Sequence, residues 1–141
     1  MIIKYKKVLK QFDDRISTTY TLVQPDYKDT DPRCTELCTI GEDTYVNVPD
    51  GVNLPEQPKQ IAMEVVTLTD ELRAEIKAVS PHVKLINARV VEKIRGKYSV
   101  NDEFKMLRIE ANGEQVKSKK YFDHVDACIA WGAAEKGRIG L

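Results

Sequence analysis

The stretch from Ser80 to Leu107 is the part of this chain that most constrains its fold. Ser80 and Pro81 suit the start of a helix, because a serine hydroxyl can pair a free backbone N–H and proline lacks the N–H that would go unpaired there. Apolar residues then recur every three or four positions as far as Ile94, which is the period of one helix face. Gly96 is expected to end this helix in a left-handed conformation.

A second helix is expected directly after the first. Ser99 can cap its N-terminus, and Asp102 stands three residues later, the spacing of a reciprocal capping box. Val100, Phe104 and Leu107 share one face of this helix. Because two short amphipathic helices cannot bury their apolar faces alone, we expect them to pack on each other and on a third element. The expected helical core comprises Phe104, Leu107, Ile86, Val90 and Ile94.

The first residues of the chain favour strands. Residues 2–10 predict one strand, and residues 16–23 predict a second strand that pairs with it as a hairpin. Residues 24–33 are rich in Pro and Asp, which is typical of an exposed loop. The inward-facing candidates on the first strand are Ile3, Tyr5 and Val8.

A further hairpin is expected from two β-rich runs, Thr35–Ile40 and Thr44–Val48, on either side of a short loop that contains Gly41. Residues 49–60 hold three prolines and predict an extended linker, since proline fixes φ and removes a donor. Residues 61–66 are expected to form one more short strand.

Beyond the linker nearly all signals are helical. Thr69 is the expected N-cap of a helix whose apolar stripe is Leu72, Ile76 and Val79. The last helix is predicted over residues 118–134, and the glycine-rich tail that follows is expected either to fray or to dock on a partner.

Strand signals before the linker and helix signals after it indicate an α+β fold with segregated parts. We expect N-terminal antiparallel β hairpins in residues 1–48, a Pro-rich linker in residues 49–60, and a C-terminal bundle of three to four short helices in residues 61–141. The helical region is expected to be one compact unit or two small subdomains.

Composition limits the class of function. The chain has 141 residues, with 22 Lys and Arg against 22 Asp and Glu, so no basic excess favours a nucleic-acid partner. No apolar run approaches the roughly 20 residues of a membrane span, and the N-terminus lacks the pattern of a secretory signal. We expect cytoplasmic synthesis, no nucleic acid, no membrane, and cysteines kept as thiols.

Few residues suggest chemistry. Cys34 and Cys38 are four positions apart and would share one face of a strand, but a zinc site usually brings a second Cys or His pair. His124 stands beside acidic residues on the last helix, yet sequence neighbours on a helix do not face each other. Three lysines near the start of that helix are better explained by a solvated face than by an anion site. No catalytic, cofactor-binding or metal-binding residue is predicted.

Aromatic side chains and the apolar tail are the candidates for contacts with another protein, because aromatic anchors contribute much of the energy of such contacts. Trp131 suits either a core or an interface. The predicted interface residues are Tyr5, Tyr20, Tyr45, Trp131, Ile139 and Leu141.

Three segments carry a family resemblance: TYVNVPDGVNLPEQP at 44–58, IRGKYSVNDEFKMLR at 94–108, and YFDHVDACIAWGAAEKGRIGL at 121–141. Together they resemble small proteins encoded among the tail and tail-fibre genes of tailed bacteriophages and prophages. The resemblance covers residues 40–141, and its motifs are structural. It implies a non-enzymatic virion tail component or tail-assembly factor, located in the virion tail or in the host cytoplasm during assembly.

Such a protein would form a homo-oligomer, a complex with a larger tail or fibre protein, or both. The open alternative is a cytoplasmic enzyme or regulatory protein with an unrecognised site, which a pocket gathering His124, Cys128 and several carboxylates would favour.

Overall fold

Strands precede helices in the computed structural model, which describes residues 1–141. The predicted mixed α+β class with N-terminal antiparallel strands is confirmed, and four helices follow. The strands are β1 (Ile2–Lys6), β2 (Val8–Gln11), β3 (Ile16–Thr19), β4 (Thr35–Ile40), β5 (Asp43–Asn47) and β6 (Glu64–Val66). The helices are α1 (Asp70–Val79), α2 (Pro81–Arg95), α3 (Val100–Ala111) and α4 (Gln115–Arg138).

The chain divides into two compact units. The first unit comprises Met1–Val83 together with Ile139–Leu141, and the second comprises Lys84–Arg138. The division therefore falls inside α2, and the Pro-rich segment lies within the first unit.

The first unit is built on a four-stranded antiparallel sheet with the strand order β4-β5-β1-β6. Successive side chains of a strand point to opposite faces, so Ile2 and Ile3 enter different apolar clusters. Ile2 packs with Ile76 of α1, whereas Ile3 packs with Leu22 and Ile61 from segments without regular structure. Both faces of the sheet are thus covered at its centre, which explains why most residues of β1 and β5 are buried.

The Pro-rich segment contains no strand or helix, as its prolines predict. Val52 and Leu54 nevertheless pack against the buried cluster of Ile3 and Tyr5. Proline cannot donate to a sheet ladder, but the apolar side chains between the prolines still gain free energy when they leave water. The segment therefore covers one face of the sheet.

The C-terminal tail docks on the sheet of its own chain. Leu141 is buried in the cluster of Ile2 and Tyr45, and Ile139 packs against the same cluster. Gly140 has a φ of +85°, and a Cβ there would lie 2.6 Å from Oδ1 of Asn47, so only glycine fits. The expectation that the tail frays or docks on a partner is wrong, because the fold itself buries it.

The predicted strand over residues 2–10 is interrupted. The chain bends at Lys7, whose Nζ lies 2.9 Å from Oε1 of Glu36, and the two halves join different sheets. The second half, β2, pairs with β3 as a separate two-stranded hairpin. Val8 therefore leaves the sheet that buries Tyr5 and is 46% exposed, which corrects its predicted inward position.

In the second unit, α2 and α4 approach closely at a glycine. A Cβ on Gly132 would lie 2.6 Å from Cγ2 of Val90. Ile86 of α2 is buried, as are Tyr121 and Cys128 of α4.

Several predicted helix boundaries are confirmed in detail. The Leu72 N–H donates to Oγ1 of Thr69 at 3.2 Å, and Ser99 and Asp102 form the predicted capping box.

Gly96 does follow the end of α2, but its φ is not positive, and its N–H donates to the Glu92 carbonyl at 2.8 Å. The Ser80 hydroxyl, predicted to cap α2, is buried without a hydrogen-bond partner.

The predicted helical core is wrong for α3. This helix has no buried residue; Phe104 is 63% exposed and Leu107 is 45% exposed. Its other side carries the half-buried Met106 and Ile109, and α3 packs on α4. A helix with two apolar stripes can bury either one, and here the stripe of Met106 and Ile109 is half-buried, whereas the one that contains Phe104 is exposed.

Candidate interaction surfaces

The β2–β3 hairpin is largely exposed to solvent. Only Leu9 and Thr18 among its strand residues are half-buried, and Val8 and Ile16 are exposed. A two-stranded hairpin is marginally stable in water unless something packs against it. The hairpin therefore leaves the apolar side chains of Val8 and Ile16 in contact with solvent.

The tip of this hairpin has an unusual backbone. Phe12, Asp13 and Asp14 have φ values of 53°, 52° and 66°, and the Arg15 N–H donates to the Phe12 carbonyl at 3.1 Å. Positive φ at both central residues matches the twist of a hairpin but favours Gly and Asn, and a bulky residue rarely adopts it. Phe12 is 73% exposed. The tip thus presents an aromatic ring and two carboxylates to solvent.

A second exposed apolar surface lies on α3. Val100, Phe104 and Leu107, at spacings of four and three, form a continuous stripe along the helix, and all three are exposed. Lys105 and Arg108 lie along one border of this stripe, and neither is in an ion pair within the chain. The stripe and its basic border are well suited to an apolar and acidic ligand surface.

The other border of the stripe is acidic and already has partners. Arg95 Nη1 lies 2.5 Å from Oε2 of Glu103, and this hydrogen bond lowers the pKa of the Glu103 carboxyl below its usual value. Glu110 accepts a hydrogen bond from the Ser118 hydroxyl. Glu103 therefore has a cationic partner, whereas Glu110 has only a neutral one and is in no ion pair within the chain.

Charge is distributed unequally between the two units. The second unit contains 12 Lys and Arg and 8 Asp and Glu, which gives a net charge of +4. The first unit holds the remaining 10 basic and 14 acidic residues and has a net charge of −4. The zero charge of the whole chain conceals two oppositely charged parts.

Strand β6 lies at one edge of the four-stranded sheet, so its outer backbone groups have no partner strand. Val65 is 66% exposed and Met63 is also exposed, whereas Glu64 is paired with Lys4 at 3.3 Å. An exposed edge strand can pair with a strand of another chain. With only three residues, β6 is short for such pairing.

Most of the predicted interface residues serve the fold of their own chain. Tyr5, Tyr45 and Leu141 are buried and Ile139 is packed against the core, so these four do not offer a surface, which corrects their assignment. Tyr20 and Trp131 are half-buried, and their role in an interface stays a prediction. The Nζ of Lys93 lies 4.6 Å from the Trp131 ring centroid.

Sequence reasoning missed Phe12 and assigned Phe104 to the core. An aromatic residue beside two aspartates in a predicted turn was the available signal for Phe12. The second apolar stripe of α3, formed by Met106 and Ile109, was the signal for Phe104.

His124 and Cys128 do come together, one turn apart on α4. The Cys128 Sγ lies 3.6 Å from Nε2 of His124, and the same Nε2 lies 3.1 Å from the Lys93 carbonyl oxygen. A carbonyl only accepts hydrogen bonds, so Nε2 carries the proton in this arrangement. Nε2 then cannot accept the thiol proton of Cys128, as a base for a cysteine nucleophile must.

Cys34 and Cys38 do not share a face, which corrects that prediction. The register of β4 shifts between Glu36 and Cys38, and such a bulge turns the following side chains to the other face. Cys38 is buried in the cluster of Ile2, and Cys34 packs against the cluster of Ile3. Burial raises the pKa of the Cys38 thiol, which disfavours the thiolate that metals and electrophiles require.

No group of three His, Cys, Asp or Glu side chains is close enough to hold a metal ion. The lysines at the start of α4 are exposed; Lys117 pairs with Glu114, and Lys119 lies 2.8 Å from Asp123. These ion pairs agree with a solvated face.

Comparisons of the chain with protein-family models, with curated proteins and with solved structures found no match. Among the helices, none combines the length and the apolar character needed to cross a bilayer.

Proposed function

We propose that this chain is a non-enzymatic structural or assembly protein of a bacteriophage tail or tail fibre and acts through protein–protein contacts. The observation that carries the proposal is the β2–β3 hairpin, which exposes Val8, Phe12 and Ile16 and is covered by no other element. An uncovered hairpin with apolar side chains gains free energy when a partner buries it.

The sequence resemblance of residues 40–141 to tail and tail-fibre proteins supplies the phage context of the proposal. The partners are further copies of the chain, a larger tail or fibre protein, or both. The protein acts in the virion tail, or in the host cytoplasm during assembly. We further propose that α2, α3 and α4 form a bundle of short helices and that the Pro-rich segment is the connection that leads from the N-terminal strands toward the helical part of the chain.

Mass spectrometry of purified virions, and of tail or fibre complexes expressed with neighbouring genes, tests this function. We expect the chain in one of these two samples at a fixed ratio to a tail or fibre protein. Its absence from both samples, with the chain present in the lysate, would contradict the proposal.

The alternative is a cytoplasmic enzyme or regulatory protein, and the observation that favours it is the 3.6 Å distance between Cys128 Sγ and His124 Nε2. An activated thiolate reacts rapidly with alkylating reagents at neutral pH. Alkylation of the native chain, with the labelled residue identified by peptide mapping, separates the two functions. Cys128 labelled much faster than an unfolded peptide control, and slowed by His124→Ala, would favour the alternative.

A further inference from the structure

We propose that copies of this chain assemble head to tail, with the hairpin tip of one copy docked on the α3 surface of the next. The hairpin tip is Phe12, Asp13 and Asp14. The α3 surface is the apolar stripe Val100, Phe104 and Leu107 with its basic border, Lys105 and Arg108. This inference deepens the proposed assembly function and rests on it, because it names the partner and the site of the contact.

The two surfaces match in chemistry. An exposed aromatic side chain is a typical anchor of a protein interface. Phe12 has a φ of 53° and is 73% exposed, so its ring is not part of the core of its own chain. The stripe of Val100, Phe104 and Leu107 is an apolar surface on which such a ring can pack.

The hairpin tip and one border of the α3 stripe carry charges of opposite sign. Asp13 and Asp14 follow Phe12 directly and form no ion pair within the chain. Lys105 and Arg108 border the stripe and are also unpaired. Docking of Phe12 on the stripe brings the two carboxylates within reach of the two cations, which favours encounter and fixes the orientation.

A second copy of the chain is the occupant that these charges favour. The tip belongs to the unit with a net charge of −4, and the α3 surface belongs to the unit with a net charge of +4. A two-fold antiparallel pairing of two α3 surfaces would instead place the border of Lys105 and Arg108 against the same border of its partner. Like charges that face each other across an interface are unfavourable.

A contact between two different surfaces leaves one free tip and one free α3 surface on every open complex. Such a heterologous contact closes into a ring or continues as an open filament, depending on the rotation between copies. A two-fold interface would stop at a dimer. The stoichiometry of assembly therefore distinguishes the two geometries.

Mixing two single variants of the full chain tests this geometry. Phe12→Ser removes the tip anchor, and Phe104→Ser removes the centre of the stripe, so each variant alone should sediment as a monomer of 16.0 kDa. The mixture should form a complex of two chains and nothing larger, because one intact tip and one intact α3 surface remain. Each substitution should weaken self-association by about 30-fold, as expected for a truncated interface aromatic.

Val91→Ser is the matched control, since Val91 is also an exposed apolar residue of the second unit but lies on α2. It should assemble like the wild type. Circular dichroism and chemical denaturation of all three variants establish that they fold. A variant that does not fold is replaced by Phe12→Leu or Phe104→Leu, which should assemble more weakly than the wild type.

Charge reversal provides a second, independent arm. The double variant Asp13→Lys with Asp14→Lys should be monomeric, because its tip and its α3 surface are then both positive. The double variant Lys105→Asp with Arg108→Asp should also be monomeric, because both of its surfaces are then negative. A mixture of the two double variants should assemble beyond the dimer, since each tip then meets an α3 surface of opposite charge.

An oligomeric wild type whose mass is unchanged by Phe12→Ser or by Phe104→Ser would overturn the head-to-tail contact and leave the assembly function standing. Mixed single variants that stay monomeric would also overturn it. A wild-type chain that is a monomer at every concentration overturns the head-to-tail contact, and the assembly function fails as well if that chain binds no product of a neighbouring gene.

Discussion

Phe12 and Phe104 are the two exposed phenylalanines of the chain, and neither ring is part of a hydrophobic core. For Phe104 this has a direct consequence for stability. Phe104→Ala should reduce the free energy of unfolding by less than about 1 kcal/mol, because an exposed side chain leaves no cavity. Ile76→Ala is the control, since Ile76 is fully buried and its truncation should cost about 2–5 kcal/mol. Urea denaturation at a concentration where the chain is dispersed measures both.

Strain at the hairpin tip should be separable from its role in assembly. Asp14 has a φ of 66°, which glycine adopts without a Cβ clash. Asp14→Gly should therefore raise the free energy of unfolding by about 1 kcal/mol while it weakens self-association, because a carboxylate is lost from the tip. Denaturation and sedimentation of the same variant measure the two effects. A more stable variant with unchanged association would show that Asp14 contributes no contact.

Tyr5 should make stability fall at alkaline pH. Burial raises the pKa of its hydroxyl above the usual 10.0, and the hydroxyl lies near the Leu22 backbone without a hydrogen bond of normal geometry. The folded state thus holds the proton more tightly than the unfolded state. The resulting stability is complete below pH 10.0 and is lost as the pH rises from there through the raised pKa of the folded state.

Tyr5→Phe should lose less stability than the wild type over this alkaline range, since it has no proton to release. At neutral pH the substitution should be neutral or slightly stabilising, because it removes a buried hydroxyl that has no partner. Chemical denaturation from about pH 8 to about pH 11 measures the difference between the two proteins. Parallel pH profiles for both would count against a role for Tyr5, since other tyrosines contribute equally to each.

At the scale of the elements, two glycines on α4 should respond in opposite directions. Gly132→Ala should destabilise the chain by about 1–3 kcal/mol, because its new Cβ would lie 2.6 Å from Cγ2 of Val90. Gly137→Ala meets nothing within 4 Å on the same helix and should stabilise it by up to about 1 kcal/mol. Thermal unfolding of both variants is the measurement. Similar effects of the two would mean that α2 and α4 are not in close contact.

Local signals were sufficient for several elements. The hairpin of β4 and β5, the cap of α1 at Thr69 and the box of Ser99 and Asp102 were all predictable, because the residues that stabilise them are close in sequence. The bend at Lys7 and the bulge in β4 were not, since both depend on how distant strands fill the faces of the sheet.

The exposed face of α3 shows the same limit. Its sequence offers two apolar stripes, and periodicity alone cannot tell which one α4 covers. The candidate surfaces follow from that choice. Phe104 is a candidate interface residue because the structure half-buries Met106 and Ile109 and leaves Phe104 exposed.

For the molecule as a whole, the uneven charge should make assembly depend on salt. Sequence alone gives zero net charge, and the division into units of −4 and +4 requires the boundary inside α2, which only the folded contacts define. Raising the salt from about 0.05 M to about 0.5 M shortens the screening length well below 10 Å. Self-association should therefore weaken in high salt, as sedimentation can measure. Stronger association in high salt would point to a purely apolar contact.

The central claim is that this chain works by binding other protein chains, and sedimentation equilibrium tests it most directly. The wild type would be measured alone across a wide range of concentrations, and then with the products of neighbouring genes. We predict masses that rise above the 16.0 kDa of one chain, either with concentration or with an added partner. A 16.0 kDa monomer under every one of these conditions would contradict the claim.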